Sequence, residues 1–478
     1  MENTSRTNLT GSLQQNMEYL NRLLDADKNF DVIYRVIHFG GKEACMYLLD
    51  GFCKDELLQK LLQFFMDMAP DKMPADMHGL SKQFTPYVEV DLTDQYDVLI
   101  HSLLSGMFIL LVDGYNKALL IDSRTYPARG VEEPEKDKVL RGSKDGFVET
   151  IVFNTALIRR RIRSTDLHME MMNAGKSSRT DIVLCYMKGR ANEKFLNELR
   201  QKIQNISVDA LTMNQESLAE CIYQRKWYNP FPKFKYTERP DAAAAQILEG
   251  NIVILVDNSP SAMILPTTIF DVMEEADDYY FPPITGTYLR LTRYIISLFT
   301  YLITPTFLLL INNPQWIPES FSFIMLKEEA NIPLIWQFLL LELAIDGLKL
   351  AAINTPNMLS TPLSVLAALV LGEFSVNSGW FSSEVMLYMA FVAIANYTQS
   401  NYELGYALKF LRILNLILTQ IFGLWGYIAA LIIALLGICC NRTVAHSSYI
   451  YPLIPFDWKN LKNRLVRRRL PGALKDKH

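Results

Sequence analysis

Charge is spread so unevenly along this 478-residue chain that it limits the class of fold before any motif is read. Tyr294 to Ile311 holds eighteen residues, and Ile413 to Cys440 twenty-eight, without an aspartate, glutamate, lysine or arginine. Each meets the length that a hydrocarbon core about 30 Å thick demands of a helix. Between them lie three shorter apolar stretches, Leu334 to Ala352, Thr361 to Asn377 and Val385 to Tyr397, each carrying or flanked by acidic residues. Their clustering identifies an integral membrane domain. Met1 to about Thr287, by contrast, alternates short apolar runs with charged stretches, as a soluble α/β protein does.

Composition excludes several classes of function. Half of the residues are apolar, too many for a disordered chain. A net charge of -4 and the lack of a basic block beside stacking aromatics argue against nucleic-acid binding. Cys45, Cys53, Cys185, Cys221, Cys439 and Cys440 form no C-x-x-C pair and have no histidine at ligand spacing, so neither a metal site nor a disulfide framework is expected. There is no phosphate-binding loop, dinucleotide fingerprint or H-E-x-x-H motif, and Ser259 and Ser261 lack the glycines of a nucleophile elbow. The reading is of a non-enzyme without a cofactor.

The soluble half reads as two α/β subdomains. Val32–Phe39 and Glu43–Asp50 are β-rich runs joined at Gly40-Gly41, followed by an amphipathic helix over Lys54–Met68 and a second hairpin, Met107–Asp113 with Lys117–Asp122. After a polar connection, helices are predicted over Phe147–Arg163, Asn192–Ile203 and beyond Pro240. Strands are predicted over Leu167–Met172, Asp181–Met187, Asn251–Val256 and Ala262–Leu265. The expected divisions are a polar tail (1–29), a first subdomain (30–134), a second (135–280), an all-α membrane domain (281–440) and a basic cytoplasmic tail (441–478).

The first thirty-one residues contain no sustained apolar run, so no cleaved signal is expected. Arg290 and Arg293 precede the first span, and Lys459, Lys462, Arg464 and Arg467 to Arg469 follow the last, which places both flanks in the cytoplasm. That requires an even number of crossings. Four are expected if one middle segment is re-entrant or interfacial; six would follow if the last segment turned at Gly423-Leu424-Trp425-Gly426. Four is favoured, because such a tight turn would leave backbone groups unpaired in lipid. Neither an internal repeat nor paired broken helices is evident, which argues against a secondary transporter.

Longer strings carry a resemblance. RGSKDGFVETIVFNTALIRRRIR (141–163), RTDIVLCYMKGRAN (179–192), YTERPD (236–241) and LEGNIVILVDNSPSAMILP (248–266) resemble the soluble region of the A subunits of GerA-type spore germinant receptors. NNPQWIPESFSFIMLKEEANIP (312–333), ELAIDGLKLAAINTPNMLSTPLS (342–364), SSEVMLYMAFVAIANYT (382–398), YELGYALKFLRI (402–413) and YPLIPFDWKNL (451–461) continue it, with KEEANIP and LSTPLS resembling the stage V sporulation AF branch. The resemblance implies residence in the inner membrane of a bacterial endospore and a role in germination. It also implies an oligomeric, ring-like, cation-conducting assembly with membrane lipids, a partner membrane subunit and other germination proteins around it. A non-conducting scaffold between receptors and the dipicolinate-release machinery is the alternative. Ser360 to Gly372 followed by Glu373 replaces a glycine- and glutamine-bearing stretch of the receptor subunits, which points away from direct nutrient reception.

Charged residues in the apolar half are costly and therefore informative. Glu342, Asp346 and Lys349 fall at i, i+4 and i+7, on one helical face. Glu342 and Asp346 are expected on an ion path, with Lys349 at a subunit contact; an internal pair of Asp346 with Lys349 is the alternative. Glu373 ends an uncharged run and is expected either in a ring of carboxylates or at the membrane boundary. Arg159, Arg160 and Arg161 are a candidate subunit interface, or a solvated helix end. Arg467, Arg468 and Arg469 are expected at anionic headgroups.

Overall fold

Gly40 and Gly41 both have positive φ, the requirement of a tight two-residue hairpin. They turn β1 (Val32–Phe39) back on β2 (Lys42–Leu49), with Val32 opposite Leu49. The computed structural model describes residues 8–53, 55–123, 139–327, 331–355, 365, 367–399 and 401–467. β3 (Val90–Thr93), β4 (Phe108–Val112) and β5 (Ala118–Ile121) complete an antiparallel sheet in the order β1-β2-β4-β5-β3. Alternation along β2 divides the core: Cys45, Tyr47 and Leu49 face α1 (Leu13–Leu23) and α4 (Tyr96–Leu104), whereas Ala44, Met46 and Leu48 face α2 (Asp55–Met66) and α3 (Met77–Phe84). With both faces covered, β4 and β5 are buried along their whole length.

A second sheet follows the same plan. β6 (Leu167–Ala174), β7 (Thr180–Met187), β8 (Lys235–Thr237), β9 (Ile252–Val256) and β10 (Ala262–Leu265) stand in the order β6-β7-β9-β10-β8. Each sheet is preceded by a helix, α1 or α5 (Ile151–Arg161). Each then places two helices after its first hairpin: α2 and α3, or α6 (Glu193–Gln204) and α7 (Gln215–Ile222). A short edge strand, one helix (α4 or α8, Pro240–Leu248) and a second hairpin finish the unit. The soluble half is thus a topological duplication, which corrects the reading that no internal repeat is present. The stretch read as a polar tail supplies α1, whose Leu13 and Leu20 are in the first core.

Arg159, on α5, joins the two sheets. Its Nε and Nη2 donate to Asp31 at 2.9 and 3.2 Å, and both residues are buried. Beside this pair, His168 Nε2 lies 3.3 Å from Asp25, and Lys188 Nζ lies 2.7 Å from the same carboxylate. Burial holds the His168 imidazole below its usual value, although Asp25 opposes this, so the ring is neutral at pH 7.

The chain forms two units, one of residues up to Arg225 with Phe234–Pro266, the other of Lys226–Lys233 with Thr267 onward. The second unit opens with α9 (Ile269–Met273) and α10 (Asp277–Tyr280) and continues with α11 (Pro283–Ile311), α12 (Leu334–Asn354), α13 (Ser383–Tyr397), α14 (Tyr402–Phe422), α15 (Leu424–Cys439) and α16 (Trp458–Leu465). Among the described residues two helices, α11 and α14, are long and apolar enough to cross a membrane. α12 has the length, but carries Glu342, Asp346 and Lys349; α13 and α15 are apolar and shorter.

The uncharged run Ile413–Cys440 is not one helix. It breaks at Gly423, whose φ of 57° and ψ of -133° suit glycine alone. The turn is tight enough that a side chain at Gly426 would meet the Leu418 carbonyl. This corrects the expectation that no turn occurs there. At the turn the Gly423 N–H donates to Thr419 and its carbonyl accepts from Tyr427, so both backbone groups of that residue are paired.

Contacts fix the relative directions of the helices. Glu342 and Asp346 meet Arg412 and Lys409, so α12 and α14 run antiparallel. Tyr301 and Thr306 meet Ala430 and Tyr427, so α11 and α15 do too. Ser382 meets Gln337 while Tyr397 meets Lys349, so α12 and α13 run the same way.

At the start of α11, Arg290 and Arg293 are not free flanking charges. They converge on the fully buried Asp278, with Glu274 and Glu275 beside it. Arg464 of α16 reaches Asp271 at 2.6 Å and Glu274 at 2.9 Å, so the segment read as a basic tail is docked on this knot.

Candidate functional site

The apolar composition of α12 and α14 forces their charged residues toward one another, since ionised groups in an apolar bundle persist only when paired. Glu342 and Asp346 sit one turn apart on α12, and Lys409 and Arg412 less than one turn apart on α14. Arg412 is fully buried: Nε donates to Glu342 Oε1 at 2.7 Å, and Nη1 donates to the Thr300 carbonyl of α11 at 2.9 Å. That carbonyl is next to the one at Tyr301, from which Pro305 withholds the usual helical donor. One guanidinium therefore ties three helices together.

Lys409 forms the other half of the cluster. Its Nζ lies 3.4 Å from Glu342 Oε2, donates to the Glu342 carbonyl at 3.1 Å, and bonds Asp346 Oδ2. Asp346 is the less enclosed acid, with a side chain 27% exposed against 5% for Glu342. Its second oxygen, Oδ1, has no hydrogen-bond partner among the described residues.

Lys349 is not paired with Asp346. Its ammonium lies 5.5 Å from the Tyr397 ring centre and 5.9 Å from that of Tyr406, within range of a cation–π contact. The cluster thus combines two carboxylates with three cations. Glu373 lies elsewhere, exposed on a π-helical segment, Ala368–Phe374. Widened turns of this kind are rare and occur often at functional sites. No ion pair or hydrogen bond to its carboxylate is present among the described residues.

The arginines expected at a subunit interface are divided. Arg159 is committed to Asp31, and Arg161 to Asp145 at 2.5 Å and to the Leu157 carbonyl at 2.9 Å. Arg160 alone of the three is exposed. Arg467 bonds the Thr287 hydroxyl through its backbone N–H, and its guanidinium bonds the Tyr279 carbonyl. Arg468 and Arg469 lie outside the described residues. Sequence reasoning missed Lys409 and Arg412, although the signal was present. YELGYALKFLRI carries two cations within one turn of an apolar helix, spaced to face acids four apart.

Among the described residues, no group of three histidine, cysteine, aspartate or glutamate side chains is arranged to hold a metal. A family model described as Bacillus/Clostridium GerA spore germination protein matches residues 18–477. Stage V sporulation protein AF of Bacillus subtilis (strain 168) is 36% identical over 460 residues, covering 96% of this chain and 93% of that one. An uncharacterized membrane protein of the same organism, YfkQ, is 29% identical over 473 residues, covering 98% and 91%. A crystal structure of the N-terminal domain of the A subunit of the Bacillus megaterium spore germinant receptor GerK3 aligns with a TM-score of 0.43 at 27% identity, over 54% of this chain and 96% of that one. With the family model spanning nearly all of its length, the chain belongs to the Bacillus/Clostridium GerA family of spore germination proteins.

Proposed function

We propose that this protein is a multi-pass subunit of an oligomeric, cation-conducting assembly in the inner membrane of the endospore, and that it releases ions or relays the germination signal. The observation that carries this reading is Glu373. An exposed carboxylate in a long apolar stretch needs water or a neighbouring subunit around it, and a ring of such carboxylates concentrates cations. Replacing Glu373 by glutamine is expected to lower the cation-to-anion permeability ratio of the purified assembly in planar bilayers severalfold, with Glu373→Asp retaining it. An unchanged ratio in Glu373→Gln would remove the residue from the path.

The proposed topology has six crossings. That α12 and α13 point the same way supports a further crossing between them, and the Gly423 turn adds α15. Cysteines engineered at Asn354 and Asn401 should then react from the face that also bears both flanks, and one at Asn312 from the opposite face. Reaction of the Asn354 and Asn401 positions from opposite faces would exclude six.

One observation favours the alternative, a non-conducting scaffold. Glu342 and Asp346 are already neutralised by Lys409 and Arg412, which leaves neither acid of the cluster free to line a path. A tight, well-assembled oligomer that never conducts would fit that reading.

A further inference from the structure

Asp346 stands between two lysines. Lys409, across the helix interface on α14, holds its Oδ2. Lys349 lies three residues along the same helix, close enough for an i, i+3 pair, but its ammonium rests on the Tyr397 and Tyr406 rings instead. The groups facing Asp346 from every packed helix are therefore Glu342 and Lys349 on α12 and Lys409 and Arg412 on α14. Arg412 does not compete for Asp346, because it is committed to Glu342 and the Thr300 carbonyl.

We infer that Asp346 exchanges partners, and that this exchange is the latch of the conduction path. In the state seen here the Asp346–Lys409 pair ties α12 to α14. In the other state Asp346 pairs with Lys349 on its own helix, and the inter-helix tie is released. The two halves of the cluster are unequal in the way such a device requires. Glu342–Arg412 is fully enclosed and acts as the fixed pivot, whereas Asp346 is partly exposed and leaves one oxygen without a hydrogen-bond partner. Both states keep one carboxylate–ammonium contact at Asp346, so neither strands an unpaired acid in an apolar bundle, and the equilibrium between them can be close. Lys409 and Lys349 are thus positioning residues with opposite effects on one carboxylate. This rests on the conduction reading above and adds the element that gates it.

The opposition supplies the test. Each lysine is replaced by methionine in the full-length assembly. Lys409→Met is expected to raise open probability in planar bilayers by about three- to tenfold, the range expected for loss of one ion pair, and Lys349→Met to lower it by a similar factor. A general field effect would move both variants the same way, since each removes one positive charge near the same carboxylates. A shift in the same direction, or none in a correctly assembled variant, overturns the latch. Hydrogen exchange of the α12 amides from Glu342 to Asn354 gives a readout that does not need current: faster in Lys409→Met, slower in Lys349→Met. If the wild type carries no current but exchange moves in these opposite senses, the conduction reading fails and the latch stands. If the wild type conducts and neither readout separates the two variants, the latch fails and conduction stands. The exchanged-charge variant Asp346→Lys with Lys409→Asp keeps the inter-helix pair but sets a like charge against Lys349, so the latch predicts a lowered open probability, whereas a merely structural pair would return to wild-type behaviour.

Discussion

Replacing Arg412 by alanine is expected to cost about 3–5 kcal/mol, the penalty for leaving a buried ion without its partner, and to abolish recovery of folded assembly from detergent extracts. Two consequences act together. Glu342, itself buried, loses its Nε donor, and the Thr300 carbonyl loses the donor that Nη1 supplies beside Pro305. Lys409 remains 3.4 Å from Glu342 and offsets part of the loss, but it is already bonded to Asp346. The check is the thermal midpoint and oligomer yield of the variant beside those of Glu342→Gln with Arg412→Met. Removing both charges together should recover much of the loss, because it leaves no buried ion without its partner. A single variant as stable as the wild type would mean that Arg412 does not hold the three helices together.

The second large effect is in the soluble half. Arg159→Ala leaves the Asp31 carboxylate buried between the two sheets and withdraws Nη1 from the Leu167 carbonyl, 3.2 Å away. A loss of about 3–5 kcal/mol is expected, read as a lowered denaturation midpoint of the full chain. Arg160, one residue on but exposed, should tolerate alanine to within about 0.5 kcal/mol. If Arg160→Ala instead shifts the oligomer distribution at unchanged stability, it marks a subunit contact. Equal effects of Arg159→Ala and Arg160→Ala on the midpoint would contradict the assignment of Arg159 to a buried junction.

Much of the soluble fold was legible because its signals are local. Gly40-Gly41 between two β-rich runs specified a hairpin, and the apolar run within Asp181–Met187 specified a strand. The segment from Met77 to Leu104 was missed. Its helices are short, and its edge strand Val90–Thr93 carries Asp91 in only four residues, too few for a period to show. The duplication was invisible because it lies in strand order, which pairs residues far apart in sequence, and not in repeated strings. α1 was hidden by a polar outer face, although Leu13 and Leu20 lie on one side of it.

In the helical half, the acids Glu342 and Asp346 were found because charge stands out against an apolar background. Their partners were passed over, since no local pattern pairs them with residues 63 to 70 positions away. The Gly423 turn was considered and set aside on a general rule about unpaired backbone in lipid. A single glycine at positive φ makes the reversal and keeps its own bonds to Thr419 and Tyr427.

Electrical recording from the purified, full-length oligomer in planar bilayers tests the central claim most directly. Gated currents that select cations over anions, and that lose this selectivity in Glu373→Gln, are the result expected of a conducting germination subunit. An intact oligomer that carries no current under any ionic gradient would contradict the account and leave the scaffold.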